Sequence, residues 1–397
     1  MVGMFLVLLI LFCLLLALDY YLGSKKARSL SSPRDYPIRN GRVDLYVNGN
    51  KLFKKFFEDL EQATQTIYTL FYIVKDDEIS QKFLDILAEK SRQGVKVYLL
   101  MDWMGSRKVK KILKRLDGTD VKVGFSRKPR FPYLFFHLQR RNHRKITVID
   151  HKVAYLGGFN VAKEYLGYKS KLSPWRDYHL RIAGGSSLDL ENEFSIDWNQ
   201  ENSVPLILGN RDVPVSQGHT AHRITPSEVG HLEPKVKTLI DQARSSIIIG
   251  TPYFIPTPPI FKSLLEALKR GVDVSIIVPD QADHALVKEA AYPYFRKMLR
   301  HGSCHIYQYS NGFYHAKILM IDKEFCDIGT ANFDKRSFLL NDECNCFIYD
   351  QRFIERALEV IRADIEASKR LTLQELNNMG IGTRLKEKLA SSVSTFL

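Results

Sequence analysis

Hydrophobic and polar positions divide this chain into one long apolar run followed by two stretches of mixed helical and strand periodicity. Positions 2–18 are apolar without interruption, and extending the run to Leu22 adds only one charge, Asp19. At about 1.5 Å per residue, a helix of this length spans roughly 31 Å, which matches a bilayer core. No basic segment precedes the run and no small-x-small cleavage site follows it, so a membrane anchor is favoured over a signal peptide or a buried helix.

The residues that flank the apolar run indicate its orientation. Tyr20 and Tyr21 stand where an interfacial aromatic belt would lie, and Lys25, Lys26 and Arg28 follow immediately. Positively charged flanks stay on the cytoplasmic side of a membrane. We therefore expect a single-pass anchor in the cell membrane, with the rest of the chain facing the cytoplasm.

After the anchor, amphipathic segments alternate with β-rich runs, and the alternation occurs twice. EQATQTIYTLFYI and QGVKVYLLMD in the first half resemble DQARSSIIIGTPYFI and RGVDVSIIVPD in the second. The pattern predicts an α/β fold class with two homologous βαβ lobes, in which helices flank mixed sheets, in addition to the N-terminal transmembrane helix. Two apolar stripes at helical spacing are expected to be core: Leu52, Phe53, Phe56, Phe57 and Leu60, and Ile79, Phe83, Ile86 and Leu87.

Changes in composition along the chain predict its domain boundaries. A stretch rich in Pro, Gly, Asn and Ser separates the halves, and Leu376, Leu385, Leu389 and Val393 recur at helical spacing near the C-terminus. For this last segment, packing on the body and contact with the membrane both remain open. The predicted organisation is an anchor at 1–24, a linker at 25–42, a first lobe at 43–200, a connector at 201–221, a second lobe at 222–370 and an amphipathic tail at 371–397.

One short pattern occurs in both halves, 172 positions apart. In each copy His and Lys are two apart, Asp follows Lys by five, and a small-residue turn begins seven beyond Asp. The corresponding residues are His143, Lys145, Asp150, Gly157, Gly158 and Asn160, and then His315, Lys317, Asp322, Gly329, Thr330 and Asn332. A chance match to six such positions is rarer than about one in ten thousand at ordinary residue frequencies. Two matches with identical spacing therefore indicate a duplicated functional site.

The pattern places the same chemical groups at the end of a sheet in each half. The run after each His reads as a buried strand, and side-chain alternation puts His and Lys on one face. Facing each other, the two copies would surround one phosphodiester with two imidazoles, two ammonium groups and two amides from Asn160 and Asn332. One neutral imidazole can attack phosphorus while the other, protonated, donates to the leaving oxygen. This scheme requires neither a metal nor a cofactor.

The duplicated motif resembles that of the phospholipase D superfamily, and the wider sequence is similar to bacterial cardiolipin synthases, particularly short Gram-positive forms. The segments that carry the resemblance are PRFPYLFFH, QRRNHRKITVID, GGFNVAKEYLG, FYHAKILMID and GTANFDKRS. It implies transfer of a phosphatidyl group between two phosphatidylglycerol molecules through a phosphatidyl-histidine, giving cardiolipin and glycerol. It also implies that His143 is the nucleophile and His315 the general acid, although the symmetry of the motifs leaves the reverse open. Phospholipid hydrolysis, a nuclease and an inactive lipid-binding module are the alternatives.

Each catalytic imidazole needs a carboxylate to orient it. By motif, Asp150 and Asp322 are catalytic candidates, but they stand at strand ends, where bracing of the backbone is the more natural role. The resemblance implies that Asp177, 34 residues beyond His143, and Glu343, 28 beyond His315, hold the rings. Both acids open apolar strands, so ordinary strand-edge charges are the alternative.

The net charge of +14 is concentrated in one region. Residues 107–145 contain 14 Lys or Arg against two Asp, with aromatic residues between the cations. A nucleic-acid groove and a solvated charge run are possible interpretations, but the nearby anchor favours anionic phospholipid as the partner, with no nucleic acid expected. The candidate membrane-binding residues are Arg130, Phe131, Phe135, Phe136, Arg140 and Arg141.

Cysteine usage points to a reducing compartment. The five cysteines are an odd number, and one of them, Cys13, lies in the anchor. Cys344 and Cys346 are two apart, but no second pair gives the spacing of a zinc site. We expect reduced buried thiols and no metal site. The oligomeric state is not indicated by any pattern in the sequence.

Overall fold

One mixed sheet, with sixteen strands in the described part of the chain, carries both halves of the protein. In this computed structural model, residues 2–167, 172–209, 211–212 and 218–395 are described. The strands are β1 (Arg39–Asn48), β2 (Thr66–Phe71), β3 (Lys96–Asp102), β4 (Lys122–Ser126), β5 (Ile146–Ile149), β6 (Val153–Gly157), β7 (Trp175–Gly184), β8 (Thr220–Ser227), β9 (Ser246–Gly250), β10 (Asp273–Pro279), β11 (Cys304–Tyr309), β12 (Phe313–Tyr314), β13 (Ile318–Ile321), β14 (Phe325–Gly329), β15 (Glu343–Ile348) and β16 (Ser368–Leu371). The α-helices are α1 (Val2–Leu30), α2 (Gly49–Glu61), α3 (Glu78–Arg92), α4 (Leu134–Gln139), α5 (Ser186–Glu201), α6 (Leu232–Gln242), α7 (Pro258–Lys269), α8 (Val287–Met298), α9 (Lys335–Leu339), α10 (Gln351–Glu366), α11 (Leu373–Asn377) and α12 (Ile381–Val393).

The order of the strands repeats between the two halves. It is β4-β3-β2-β5-β6-β7-β1 in the first half and β11-β10-β9-β13-β14-β15-β8 in the second. In both halves the first three strands of this order are parallel and the remaining neighbours antiparallel. The predicted fold class, two homologous lobes with mixed sheets flanked by helices, is confirmed.

The two lobes share strand contacts instead of standing side by side as separate sheets. Strand β1 pairs antiparallel with β8, with Gly41 opposite Thr220, so the sheet is continuous from one lobe to the other. Strand β12 of the second half also pairs in parallel with β7 of the first, with Phe313 opposite Trp175. These contacts fix the ends of β7 and β12 against each other, and the candidate site lies there.

Apolar residues of the strands and helices form one core in each lobe and a third shared by both. The predicted stripe of α2 is buried, and that of α3 is buried except for partly exposed Ile79. Asn48 and Asp77 accept hydrogen bonds from the first turns of these helices, which fixes where each one begins. The shared core contains the free thiols of Cys326, Cys344 and Cys346.

The N-terminal helix α1 is the one helix within the described residues that is long and apolar enough to cross a membrane, and its apolar window is not buried. It continues to Leu30, beyond the predicted end of the anchor at 24, and Asp19, Tyr20 and Gly23 of this helix contact α4. The predicted linker at 25–42 needs correction, because this segment contains the last turns of α1 and the start of β1. Arg39 begins that strand opposite His222 of β8, and its guanidinium pairs with Asp189 at 2.7 Å.

The predicted connector falls between α5, which ends at Glu201, and β8, which begins at Thr220. Between these two elements the described residues form no helix or strand, and positions 210 and 213–217 of the prediction lie outside the described residues. The predicted tail at 371–397 also needs correction, because it contains two helices, α11 and α12, instead of one. A capping box between Thr372 and Glu375 starts α11 and separates it from β16.

Candidate active site

The two His-Lys pairs lie where the two lobes meet. His143 and Lys145 directly precede β5, and His315 and Lys317 directly precede β13. Both strands are fully buried, and in each pair the Lys Nζ lies within hydrogen-bond distance of the His two residues before it. Each histidine is also tied to the opposite lobe through its backbone: His143 N–H donates to the Asp342 carbonyl at 2.9 Å, and His315 N–H to the Arg176 carbonyl at 2.7 Å.

Each imidazole contacts a carboxylate that belongs to the other lobe. His143 Nδ1 lies 3.0 Å from both oxygens of Glu343, and His315 Nδ1 lies 2.5 Å from Asp177 Oδ2. In sequence, Asp177 follows His143 and Glu343 follows His315. In the structure the pairs are exchanged: Asp177 contacts His315, and Glu343 contacts His143. We assign the proton to Nδ1 in both rings, since an ionised carboxylate can only accept it. The lone pair of each Nε2 is then free for chemistry.

The two carboxylates are held by different neighbours. Glu343 accepts hydrogen bonds from Thr330 Oγ1 at 2.6 Å and from Ser337 Oγ at 2.8 Å. At the position matching Thr330 the first motif has Gly158, whose missing side chain gives Asp177 its space: a Cβ there would lie 2.0 Å from Asp177 Oδ1. Burial alone would raise the pKa of Asp177, but Lys317 and His315 outweigh it and hold that pKa below its ordinary value.

The lysines are buried beside the histidines. Lys145 Nζ donates to the His143 carbonyl at 2.6 Å, and Lys317 Nζ lies 3.6 Å from Asp177 Oδ2. Burial lowers the pKa of Lys145 to about 7 and that of Lys317 to about 8, against the opposing attraction of nearby carboxylates. Both amines thus titrate near neutral pH in the free protein, and an anion bound between them would restore their charge.

The pKa values of both catalytic-motif histidines are lowered. Burial is the main cause in each ring, and it exceeds the opposing effect of the paired carboxylate. For His315 the pKa falls to about 4, with Lys317 acting in the same direction as burial. Without substrate both rings are therefore neutral at pH 7, and a negatively charged group between them is required to draw a proton onto one of them.

Both histidines line one cavity of about 530 Å³. Asn160 and Asn332 line it as well. Asn160 is fixed by a hydrogen bond from the Ile73 N–H to its Oδ1 at 3.0 Å, and its Nδ2 donates to Tyr165 Oη at 3.1 Å. The amides and histidines of both motifs therefore converge on a space large enough for a phosphodiester headgroup, and Lys145 and Lys317 lie buried beside the two histidines.

Aromatic side chains that the motif reasoning did not identify pack around the two rings. Tyr72 lies edge-on to His143 with ring centroids 5.1 Å apart, and Trp175 lies 4.9 Å from His315. Tyr253 also lies edge-on to His315, at 6.5 Å. Tyr72 and Tyr253 follow matching strands, β2 and β9, in the repeated segments LFYI and TPYFI. The repetition of these two segments is the sequence feature from which Tyr72 and Tyr253 could have been identified.

Asp150 and Asp322 lie outside this cavity, which corrects their assignment as catalytic residues. Asp150 follows β5, at the end opposite to His143, and accepts from the N–H groups of Thr64, Gln65 and Thr66. Asp322 accepts in the same way from the N–H groups of residues 244–246. Their spacing in the motif reflects the length of the strand, and their carboxylates brace the loops that lead into β2 and β9.

Three of the six candidate membrane-binding residues are buried, which is a second correction. Arg140 is 7% exposed and contacts Asp342 and Glu228, at 2.7 and 3.2 Å, and Arg141 is 3% exposed and contacts Asp102 at 3.2 Å. Phe136 is buried against α1. The alternation of cations and aromatics in this segment therefore belongs largely to an internal ion network.

The other three candidates remain at the surface to different degrees. Phe131 is 83% exposed, Phe135 is partly exposed, and Arg130 is exposed beside Glu201 at 3.1 Å. They lie on the loop and short helix α4 that adjoin α1. Within the described part of the chain, no group of three or more His, Cys, Asp or Glu side chains is arranged to hold a metal ion.

Comparison with known proteins shows similarity to cardiolipin synthases in both the family model and the curated relatives. A family model described as "Cardiolipin synthase, PLD-like domain" matches residues 56–172 and 236–365. Minor cardiolipin synthase ClsB of Bacillus subtilis is 39% identical over 393 residues, covering 98% of both chains. A cardiolipin synthase of Clostridium perfringens is 36% identical over 376 residues, covering 91% of this chain and 78% of its own.

The fold has a counterpart among solved structures. The crystal structure of a phosphatidylserine synthase from Haemophilus influenzae superposes with a TM-score of 0.73 over 94% of this chain and all of its own. At 16% identity the likeness concerns the fold alone. It shows that the arrangement of the two joined lobes also occurs in a more distant protein.

Proposed function

The chain belongs to the cardiolipin synthase family of the phospholipase D superfamily, and we propose that it transfers a phosphatidyl group between two phosphatidylglycerol molecules. The products are cardiolipin and glycerol. The observation that carries the proposal is the pair of imidazoles in one cavity, each held by a carboxylate of the opposite lobe. The family relationship favours a phosphatidyltransferase over a hydrolase or a nuclease.

The first step forms a covalent intermediate. His143 Nε2 attacks phosphorus of one phosphatidylglycerol, the bond from phosphorus to the headgroup glycerol oxygen breaks, and His315 gives that oxygen a proton. Glu343 stabilises the positive charge that develops on His143, as an orienting carboxylate does in other histidine-based sites. The assignment of the nucleophile to His143 rests on the resemblance, and the near symmetry of the site is compatible with the reverse.

The second step regenerates the enzyme. A hydroxyl of a second phosphatidylglycerol attacks the phosphatidyl-histidine, His315 takes the hydroxyl proton, and the phosphorus–nitrogen bond breaks. One glycerol is released for each cardiolipin formed, and no water is consumed. Lys145, Lys317, Asn160 and Asn332 would stabilise charge on the non-bridging oxygens, and such preorganised donors are worth roughly 3–4 kcal/mol each.

The substrates of this reaction are membrane lipids, so we propose that α1 anchors the protein in the cell membrane with the catalytic lobes on the cytoplasmic side. None of its 18-residue apolar window is buried, and Lys25, Lys26 and Arg28 follow it. Phe131 and Arg130 are proposed to touch the headgroup zone beside it. A second lipid then reaches the intermediate at high local concentration, which favours transfer over hydrolysis.

The test is the product formed by the full-length protein in vesicles of labelled phosphatidylglycerol. Cardiolipin and glycerol in equal amounts support the proposal, whereas phosphatidic acid would identify a hydrolase. His143→Ala and His315→Ala should each abolish both products while the circular dichroism of the protein is unchanged. Normal activity in either variant would remove the two-histidine mechanism.

A further inference from the structure

The C-terminal helix α12 carries an apolar face that no part of the described chain covers. Ile381, Leu385 and Leu389 are 88%, 68% and 55% exposed. They are four residues apart, so they form one stripe along the helix. The opposite face is the one that packs, with Ala390 buried against Val287 and Ala290 of α8. The stripe therefore points away from the protein body.

Cations border this stripe on both sides. At helical spacing Lys386 lies on one flank, and Arg384 and Lys388 lie on the other, and all three are exposed. The acidic residue of the helix, Glu387, faces the body and pairs with Arg296. A helix with a narrow apolar face between exposed cations is typical of one that lies in the plane of an anionic lipid surface.

The position of α12 connects it both to the cavity and to the membrane helix. Val287, against which Ala390 packs, also lines the active-site cavity. Helix α9 stands between α12 and α4: Lys335 Nζ donates to Ser394 Oγ at 2.7 Å, and Arg336 Nη2 donates to the Gln139 carbonyl at 2.8 Å. Helix α4 in turn meets α1, where the Phe136 N–H donates to Asp19 Oδ2 at 2.9 Å.

These contacts form one continuous rim beside the cavity, consisting of α1, α4, α9 and α12. We propose that α12 is a second membrane-docking element, which inserts Ile381, Leu385 and Leu389 into the headgroup–acyl boundary and holds the cavity against the bilayer. With α1 alone, the lobes would be free to tilt about a single attachment. A second attachment on the other side of α9 restricts that motion. This inference rests on the proposed function, because it takes membrane lipid as the substrate.

Membrane contact can be measured with a fluorophore attached at Leu385→Cys in full-length protein reconstituted into phosphatidylglycerol vesicles. The background carries Cys13→Ser, because the other four native thiols are buried. Ile207→Cys is the matched control, since Ile207 is 84% exposed but lies in the connector. We expect lipids with a quencher near the headgroup to quench the probe at 385 at least about threefold more than the probe at 207. Equal quenching at both sites overturns the inference.

The consequence for turnover is tested with Leu385→Glu combined with Leu389→Glu, and with Ile207→Glu as the control. Cardiolipin formation in vesicles should fall about fivefold or more in the double variant and stay unchanged in the control. With substrate dispersed in detergent micelles the double variant should keep its activity, which also shows that it folds. Loss of activity in micelles, or full activity in vesicles, contradicts membrane docking.

Two outcomes separate this inference from the proposed function. If the wild type makes no cardiolipin but the probe at 385 is quenched, the proposed function fails and docking stands. If cardiolipin is made but the probe at 385 is not quenched, and the unlabelled Leu385→Cys variant forms a disulfide with a second copy of the chain on oxidation, the stripe is a protein interface and the inference fails.

Discussion

Gly158 and Thr330 occupy matching positions in the two motifs, yet they serve the neighbouring carboxylates in opposite ways. Thr330 donates a hydrogen bond to Glu343, whereas Gly158 leaves the space that Asp177 fills. Two carboxylates with different surroundings hold the two histidines, so the duplicated site is not chemically symmetric. This difference between two residues is a physical basis for distinct roles of the two rings.

Gly158→Ala should therefore inactivate the enzyme without unfolding it. The added methyl group would lie 2.0 Å from Asp177 Oδ1, which forces the carboxylate away from His315. Loss of an orienting carboxylate costs up to about 10⁴-fold in turnover, and we expect a decrease of at least about 100-fold in cardiolipin formation. Gly302→Ala is the control, because a Cβ there meets no atom within 4 Å. Activity near that of the wild type would show that Asp177 does not orient His315.

The buried lysines predict a decline of activity at alkaline pH. The pKa of Lys145 is about 7 and that of Lys317 about 8, so the free enzyme loses both ammonium charges as the pH rises through this range. Since kcat/KM reports the free enzyme, it should fall above about pH 8, where attraction for the phosphate is lost. A value of kcat/KM that stays constant or rises between pH 7 and 10 would contradict this.

At the scale of elements, the basic segment between β4 and β5 is an internal structure that joins the lobes. Arg127 and Arg140 both contact Asp342, which directly precedes β15 in the second lobe. Arg144, one residue beyond His143, contacts Asp197 at 2.8 Å and donates to the Glu343 carbonyl at 3.1 Å. The segment thus fixes the position of His143 and of strand β15, which carries Glu343, the carboxylate that contacts His143.

Arg140→Ala should for this reason destabilise the protein instead of weakening its attraction to lipid. Removing one member of a buried ion network costs up to about 3–5 kcal/mol, because Asp342 and Glu228 remain buried with one cation fewer, although Asp342 keeps Arg127 and Glu228 keeps Arg34. Arg130→Ala should cost no more than about 1 kcal/mol, because the Arg130 side chain is exposed and Glu201 still accepts a hydrogen bond from the Arg127 N–H. Thermal unfolding in detergent separates them: we expect a Tm lower by several degrees for the first and nearly unchanged for the second. The reverse order would contradict a role of Arg140 in the buried ion network.

The elements and their duplication could be predicted from the sequence, but their contacts across the lobes could not. Hydrophobic periodicity and the repeated segments predicted the lobes and the buried stripe of α2. Exchange of Asp177 and Glu343 between the lobes depends on the pairing of β12 with β7, which no local pattern encodes. Charge runs were the least informative, because Arg130 and Arg140 look alike in sequence, and only burial distinguishes them.

For the whole molecule, the continuous sheet predicts that both lobes unfold together. Strands β1 and β8 join the lobes, and the buried carboxylate of Asp342 has Arg127 and Arg140 from the other lobe as partners. One lobe cannot open without exposing the edge of the other and leaving these charges unpaired. We expect one cooperative calorimetric transition for the two lobes and, in Asp342→Asn, a lower Tm with a single transition. Two resolved transitions in the wild type would show that the lobes are independent units, and the exchanged His–carboxylate pairs would then form only on docking.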